Sequence, residues 1–350
     1  MSTTCDFKMI RPVDVTDARL SSTSVPEATI SEYAGGTTYA AGARAGITLG
    51  TVQTVYESLQ NANTGHAPAS SPSWWRLLGV VYAAYNPATT YAQGEIVSNI
   101  AANVHELYES VVAANVGNAL TDTAKWLLLG STNARAMFDS TYGSQTTNAE
   151  SIVAVIAPGV LVNSMFLGNL DASSVSLAQS VSGYAKTINL NSHLVRDWYS
   201  YFYEDLVRVK DVVFDDIPPY AASSLTLTVS NPGDTAKCGI CSIGKSVTLG
   251  ETAWDVIGGN ISYSGTTTDG FGYTTFVPRA NVKKLNLDVY ISRGFESEAH
   301  RLLSLYTDVP MVFIGSTDYS MTMAYGYLGN WQVPITNSGK PAPIEIKGLT

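Results

Sequence analysis

Charge is what this chain has least of. Only 14% of its 350 residues are Asp, Glu, Lys or Arg, against about a quarter in ordinary soluble proteins. That scarcity excludes a helical bundle or coiled coil, whose outer faces need long charged rows. The formal net charge is −9 and no cluster of Lys and Arg occurs, so nucleic acid is not an expected partner, because phosphate-backbone binding needs such clusters. Three cysteines, one of them Cys5, do not make a disulfide framework. They fit a reducing compartment or indifference to redox state. Residues 1–10 lack the apolar stretch of a Sec-type leader. The longest apolar runs, near residues 77–85 and 152–162, are too short to cross a bilayer and are broken by Gly or Pro. The expectation is a soluble protein with no membrane insertion.

Ser, Thr, Asn and Gly fill the space that charge leaves, together with 20 Tyr and 6 Trp. This is the chemistry of β-strands joined by polar turns. Within it one pattern stands out. Residues 33–79 and 85–130 repeat each other: Tyr33/Tyr85, Tyr39/Tyr91, Gly42/Gly94, Tyr56/Tyr108, Glu57/Glu109, Ser58/Ser110, Asn63/Asn115 and Gly65/Gly117 share an offset of 52. A one-residue deletion then aligns Trp75/Trp126, Leu78/Leu129 and Gly79/Gly130. Identities at one offset mean a duplicated structural unit. Each copy reads as short strands cut by turns: a Tyr-Glu-Ser segment alternating like a half-buried strand, an Asn-x-Gly turn, and a closing Trp-x-x-x-Gly strand. Units this small are short of core, so their aromatic rings must supply much of the burial.

Around the doublet the expected organisation is a polar, extended N-terminal arm (1–30), two modules (31–81 and 82–132) and a β-rich C-terminal domain (133–350). The arm alternates Phe7, Met9, Ile10, Val13 and Val15 with polar residues and is expected to dock on something else, being too thin to fold alone. Further strands are expected at 151–157, 185–190, 206–213, 225–230, 282–291, 311–314, 321–327 and 344–346. One short helix is expected over 295–306, where Ala299, Leu302, Leu303 and Tyr306 fall at helical spacing ahead of Pro310. The predicted fold is mainly β, with two small tandem modules before a β-sandwich or jelly-roll-like domain.

Catalytic signatures are thin. Residues 239–246 match G-x-x-x-x-G-K-[ST], but a phosphate-binding loop opens a helix, and here a strand-like Val247-Thr248-Leu249 follows. The preferred reading is strand–turn–strand with Lys245 in solvent. Cys238 and Cys241 are half of a zinc or redox motif without its second half, and on one strand they would face opposite ways. His66, His105, His193 and His300 stand singly, and no nucleophile has a base beside it in sequence. Asp215-Asp216, before Ile217-Pro218-Pro219, reads as the end of a strand more readily than as a glycosidase pair. No enzyme, cofactor or metal is expected. The run Trp198-Tyr199-Ser200-Tyr201-Phe202-Tyr203 places aromatics on both parities of a strand. It reads as an inter-subunit or inter-domain contact in preference to a ligand platform, with Trp198, Tyr199, Tyr201 and Tyr203 as the interface candidates.

In each copy the order is aromatic-x-x-x-x-Thr-Tyr-x-x-Gly, then Tyr-Glu-Ser, Asn-x-Gly and Trp-x-x-x-Gly. That order resembles the small chitin- and cellulose-binding modules of bacterial glycoside hydrolases and the related modules in tail proteins of bacteriophages. The resemblance covers about 100 residues of the 350. It departs from the family in the longer stretch between Gly42 and Tyr56, and in the single Trp126 where the first copy has Trp74-Trp75. It implies rings that stack on sugar faces, with Trp74, Trp75, Trp126, Tyr39 and Tyr91 as candidates and Trp74 the one expected to be exposed. Phe138-Asp139 and the segments 217–230 and 261–279 resemble, more loosely, the β-rich bodies of tailed-phage virion proteins. The implied function is a structural component of a bacteriophage virion at the tail, baseplate or fibre-attachment region, assembled in the host cytoplasm. Its implied partners are other virion proteins, copies of itself and bacterial surface polysaccharide. The alternative is a secreted carbohydrate-binding accessory protein or glycoside hydrolase, which would need an export signal and an acid pair.

Overall fold

The computed structural model describes residues 5–191, 197–203, 208–253, 256–317, 319–335 and 341–349. The chain opens with β1 (Cys5–Val13) and β2 (Leu20–Thr23). The doublet follows, with β3 (Arg44–Leu49), β4 (Val52–Ser58) and β5 (Trp75–Tyr82) in the first module. The second module holds β6 (Ile96–Ala101), β7 (Val104–Ser110) and β8 (Trp126–Ser131). The chain continues through β9 (Thr146–Ile156), β10 (Ser164–Gly168), β11 (Ser174–Gln179), β12 (Ala185–Asn189), helix α1 (Trp198–Tyr203) and β13 (Val212–Phe214). Two long strands come next, β14 (Leu225–Cys238) and β15 (Ile240–Thr252). The last quarter holds β16 (Ile257–Ser262), β17 (Gly265–Thr268), β18 (Thr274–Val277), β19 (Asn281–Tyr290), α2 (Glu296–Leu305), β20 (Met311–Ile314), β21 (Met323–Trp331) and β22 (Ala342–Gly348). The chain is mainly β, and α2 occupies the segment predicted from its helical spacing.

Two sheets build the body. One has the order β12-β11-β14-β9-β2. The other has the order β13-β10-β15-β1-β20-β21-β22-β19-β16, and its β15 also pairs with β19. That extra pairing closes β15, β1, β20, β21, β22 and β19 into a six-stranded antiparallel barrel. Closure leaves these strands no exposed edge. Beyond the barrel, β10, β13 and the start of β15 face the five-stranded sheet as a sandwich. Its core joins Ile152, Leu177 and Leu227 to Met165, Phe214 and Ile243. The barrel lumen holds Phe7, Met9, Leu287, Phe313 and Ile344, and α2 adds Ala299 and Leu303. A third cluster covers the outside of the barrel wall, where Ile10, Val312 and Tyr325 lie with Phe166 and Val213.

The alternation read in residues 5–13 is real, but its destination is internal. β1 lies between β15 and β20, with Met9 opposite both Val247 and Phe313. Successive side chains enter different cores, Met9 the lumen and Ile10 the outer cluster. The N-terminal lead is therefore part of the body. β2 in turn pairs with β9, Thr23 opposite Ala154, so both modules are inserted between two neighbouring strands of one sheet.

Each module is a three-stranded antiparallel sheet, β3-β4-β5 or β6-β7-β8. The copies share an irregularity as well as identities. Leu78 is left out of register between Gly79 and Leu77, as Leu129 is between Gly130 and Leu128. Gly79 and Gly130 sit there at φ +153° and +124°, which glycine adopts without a Cβ penalty at a bulge. The first copy turns its extra residue inward: Leu78 packs with Val55 and Val81 against Ile30 and Ala149 of the body. In the second copy Leu129 is exposed.

Candidate functional site

Positions identical in the two copies assemble the interior of each module. Trp75 meets Tyr33 edge-on at 5.8 Å and Tyr39 at 5.0 Å. Trp126 meets Tyr85 at 5.6 Å and Tyr91 at 5.3 Å in the same T-shaped way. The indole N–H of Trp75 donates to the His66 carbonyl at 2.7 Å, and that of Trp126 to the Asn118 carbonyl at 3.1 Å. Asn63 and Asn115 are buried and donate to the hydroxyls of Ser58 and Ser110. Trp75, Trp126 and Tyr91 are each only 2% exposed, which leaves no ring face for a sugar. Tyr39 is half-buried and its ring lies against Trp75. Of the five rings named as sugar platforms, only Trp74 stands apart from these trios. It is half-buried and stacks on His66 with centroids 3.9 Å apart and planes 11° from parallel. Lys125 takes its place in the second module.

The aromatic run at Trp198 is a helix where a strand was predicted. Helical geometry brings i and i+4 together. Trp198 accordingly stacks on Phe202 at 6.1 Å, and Tyr199 meets Tyr203 at 5.2 Å. Trp198, Tyr199, Phe202 and Tyr203 are all largely exposed in the single chain. The side chain of Tyr201 lies outside the described residues, as does His193.

No sequence motif marks the seam between the second module and the body, where His105 gathers two acids. His105 on β7 holds Asp17 with Nε2 at 2.6 Å and Glu27 with Nδ1 at 2.7 Å. Thr132 donates to Glu27 at 2.5 Å, and Arg135 pairs with Asp17. Asp17 and Asn103 complete a reciprocal pair, each backbone N–H donating to the other's side chain. The N–H of Asn103, helped by His105 and Arg135, holds the Asp17 carboxyl below the usual carboxylate range. His105 lies 88 positions from Asp17 and 78 from Glu27, so no local motif announces the set. At the first module's seam, Arg76 bridges Glu57 of its own sheet and Glu150 of β9. Glu150 has φ +60° and falls where β9 and β14 lose register around Asn231 and Pro232. A non-glycine residue in that region is uncommon and marks an imposed geometry.

A cleft of about 480 Å³ between the β13 approach and the barrel contains the Tyr142–Asp211–Lys283 cluster. Tyr142 donates to the buried Asp211 at 2.7 Å, the Asn169 N–H donates to the same oxygen, and Lys283 pairs with the other. Burial, with Asp211 beside it, pushes the Tyr142 hydroxyl well above its ordinary value. The cluster is a satisfied network in which every acid has a partner, and it presents no nucleophile–base pair. Asp215 and Asp216 serve different cations, Lys8 and Lys186. Residues 240–246 lie within β15, where Lys245 is exposed opposite Arg11 in the ladder, so no helix follows Gly244. Cys238 and Cys241 lie on β14 and β15, either side of the turn at Gly239, and both enter the sandwich core. The turn, which a single-strand reading of the pair missed, brings both thiols to one side. Among the described residues no group of three or more His, Cys, Asp or Glu is placed to hold a metal, and no helix is long and apolar enough to cross a membrane. Comparison with protein-family models, characterised proteins and solved structures finds no match to the chain.

Proposed function

We propose that this chain is a structural subunit of a bacteriophage particle, at the tail, baseplate or fibre-attachment region, acting by binding and assembly. The observation that carries the reading is the placement of the doublet. Two copies of a module that resembles sugar-binding and phage-tail modules are inserted between β2 and β9 of a body that completes its own cores without them. Such an arrangement presents an accessory surface while the body makes the assembly contacts. The exposed aromatics of α1 fit that division of labour, because Trp and Tyr concentrate at the centres of protein interfaces. Partners on this reading are other virion proteins and further copies of the chain. Contact with host polysaccharide falls to Trp74 and not to the buried rings, and weak contacts gain strength from many copies.

The test is particle composition. Density-purified particles from a lysate of the phage that encodes the chain are expected to hold its peptides in fixed stoichiometry with other structural proteins. Their absence from intact particles would refute the assignment. For the sugar contact, Trp74→Ala is expected to reduce binding of the folded protein to host wall polysaccharide at least ~tenfold, roughly the loss of one good aromatic contact. Unchanged binding would remove Trp74 from that role.

A further inference from the structure

Between β16 and β19 the chain leaves the barrel and returns as a two-stranded ribbon. Among the described residues β17 and β18 pair only with each other, Thr266 opposite Phe276 and Thr268 opposite Thr274. Every residue from 265 to 276 is exposed, and Phe271, Tyr273 and Phe276 are 91%, 75% and 64% exposed. An isolated two-stranded hairpin is marginal in water, and Phe belongs to the residue types most often fully buried. Yet the ribbon is built with care. At its tip the Asp269 carboxylate accepts the N–H groups of Phe271 and Tyr273, with Gly272 at φ +86° making the turn. At its base Ser264 accepts the Arg279 N–H and donates to the Arg279 carbonyl. Both ends are pre-shaped, which lowers the ordering entropy that binding must overcome. What the ribbon lacks, among the described residues, is a surface to bury its rings against.

We propose that the β17–β18 ribbon is an arm that clasps a second copy of this chain. The inference rests on the reading of the protein as an assembly subunit and names the element that joins its copies. Area argues for it. Aromatic side chains bury about 150–250 Å² each, so Phe271, Tyr273, Phe276 and the half-exposed Tyr263 would remove roughly 450–700 Å² from water. With the flanking threonines this approaches the ~800 Å² per partner of a stable interface. Charge argues for a copy as the occupant. The chain carries −9, but residues 264–280 contain only Asp269 and Arg279, and Asp269 is engaged in the turn. A nearly neutral arm lets two acidic copies meet without repulsion at the point of contact. Its two free strand edges offer main-chain hydrogen bonds to a partner strand.

The experiment is sedimentation velocity on the full chain from ~1 to ~100 µM, a range that resolves micromolar association. The wild type is expected to self-associate as concentration rises. Phe271→Asp with Phe276→Asp is expected to weaken association at least ~tenfold and leave the melting temperature unchanged, since neither ring supports the fold. Leu49→Asp, an equally exposed apolar residue of the first module, is expected to change nothing. A photo-cross-linker at Tyr273 should give a product of twice 37.3 kDa. A wild type monomeric throughout, a double variant that associates as the wild type does, or capture of only other lysate proteins would each overturn the proposal. Particle composition is read separately. A chain found in particles whose self-association ignores Phe271 sinks the arm and keeps the virion reading. An arm-dependent dimer absent from particles does the reverse.

Discussion

Replacing Trp75 by Ala is expected to unfold one module and spare everything else. The ring is 2% exposed, packs edge-on against Tyr33 and Tyr39, and donates its N–H to the His66 carbonyl. Removing a buried Trp costs about 3–5 kcal/mol in well-packed cores. A unit of about 50 residues holds about 3–7 kcal/mol if it follows the usual 0.05–0.15 kcal/mol per residue. The loss is therefore comparable with all the stability the first module has. Amide hydrogen exchange read by segment is the assay, because it reports local opening separately from global unfolding. At about 1.4 kcal/mol per tenfold, protection in residues 44–82 should fall by about 10²- to 4 × 10³-fold. Residues 96–131 and the sandwich strands should keep theirs. Trp126→Ala should give the mirror image, collapsing 96–131 and sparing 44–82. Trp74→Ala, which loses one stacked face on His66, should shift protection less than ~tenfold. If Trp75→Ala leaves β4 within tenfold of the wild type, the ring is not the core of its module and the reasoning from the doublet fails.

Three further outcomes are expected. The Asp17 carboxyl lies below its ordinary value of 3.8 in the folded chain, so its contribution is present above the unfolded value and lost as pH falls through the lowered one. Asp17→Asn should flatten the acid limb of the melting-temperature profile below ~pH 4, and parallel profiles for variant and wild type would count against the seam. Gly244→Ala would put a Cβ 1.8 Å from the Arg11 carbonyl oxygen and should lower stability by at least ~2 kcal/mol in urea. Gly259→Ala, with open space around it, should stay within ~0.5 kcal/mol. Burial pushes the Cys238 thiol up to about 12 and raises Cys241 as well, while Cys5 is only half-buried. A thiol reagent at mildly alkaline pH should therefore titrate one cysteine quickly and the other two only after denaturation, and three fast thiols would contradict the packing of β14 on β15.

The doublet was legible because its core residues recur at a fixed offset, and Tyr39, Asn63 and Trp75 are core for the same reason that Tyr91, Asn115 and Trp126 are. Helix α2 was legible from the spacing of Ala299 and Leu303, both of which face the barrel lumen. Closure of the barrel was not, because the two-residue pairing of Glu251 and Thr252 with Tyr290 and Val289 leaves no periodic trace. The lead was misread as a separate arm because alternation shows that a strand has a partner without saying which. At Trp198, alternation and helical spacing both fit five aromatics in six residues, and the segment takes the helical period. The His105 seam leaves no local trace because it joins Asp17 and Glu27 of the N-terminal lead to residues 78 or more positions away.

The position of β1 sets a timetable for synthesis. Met9 pairs with Phe313, so β1 waits for a strand made much later before the barrel can close. At ~5–20 residues per second, about 300 residues of delay is about 15–60 s on the ribosome. The modules, whose contacts are local, can fold in that interval; the barrel cannot. An apolar strand left unpaired so long is an aggregation hazard, and low-order local contacts form far sooner than those closing long loops. Newly made chains therefore pass through a state with two finished modules and an open body, the form in which a chaperone or a premature neighbour would meet them.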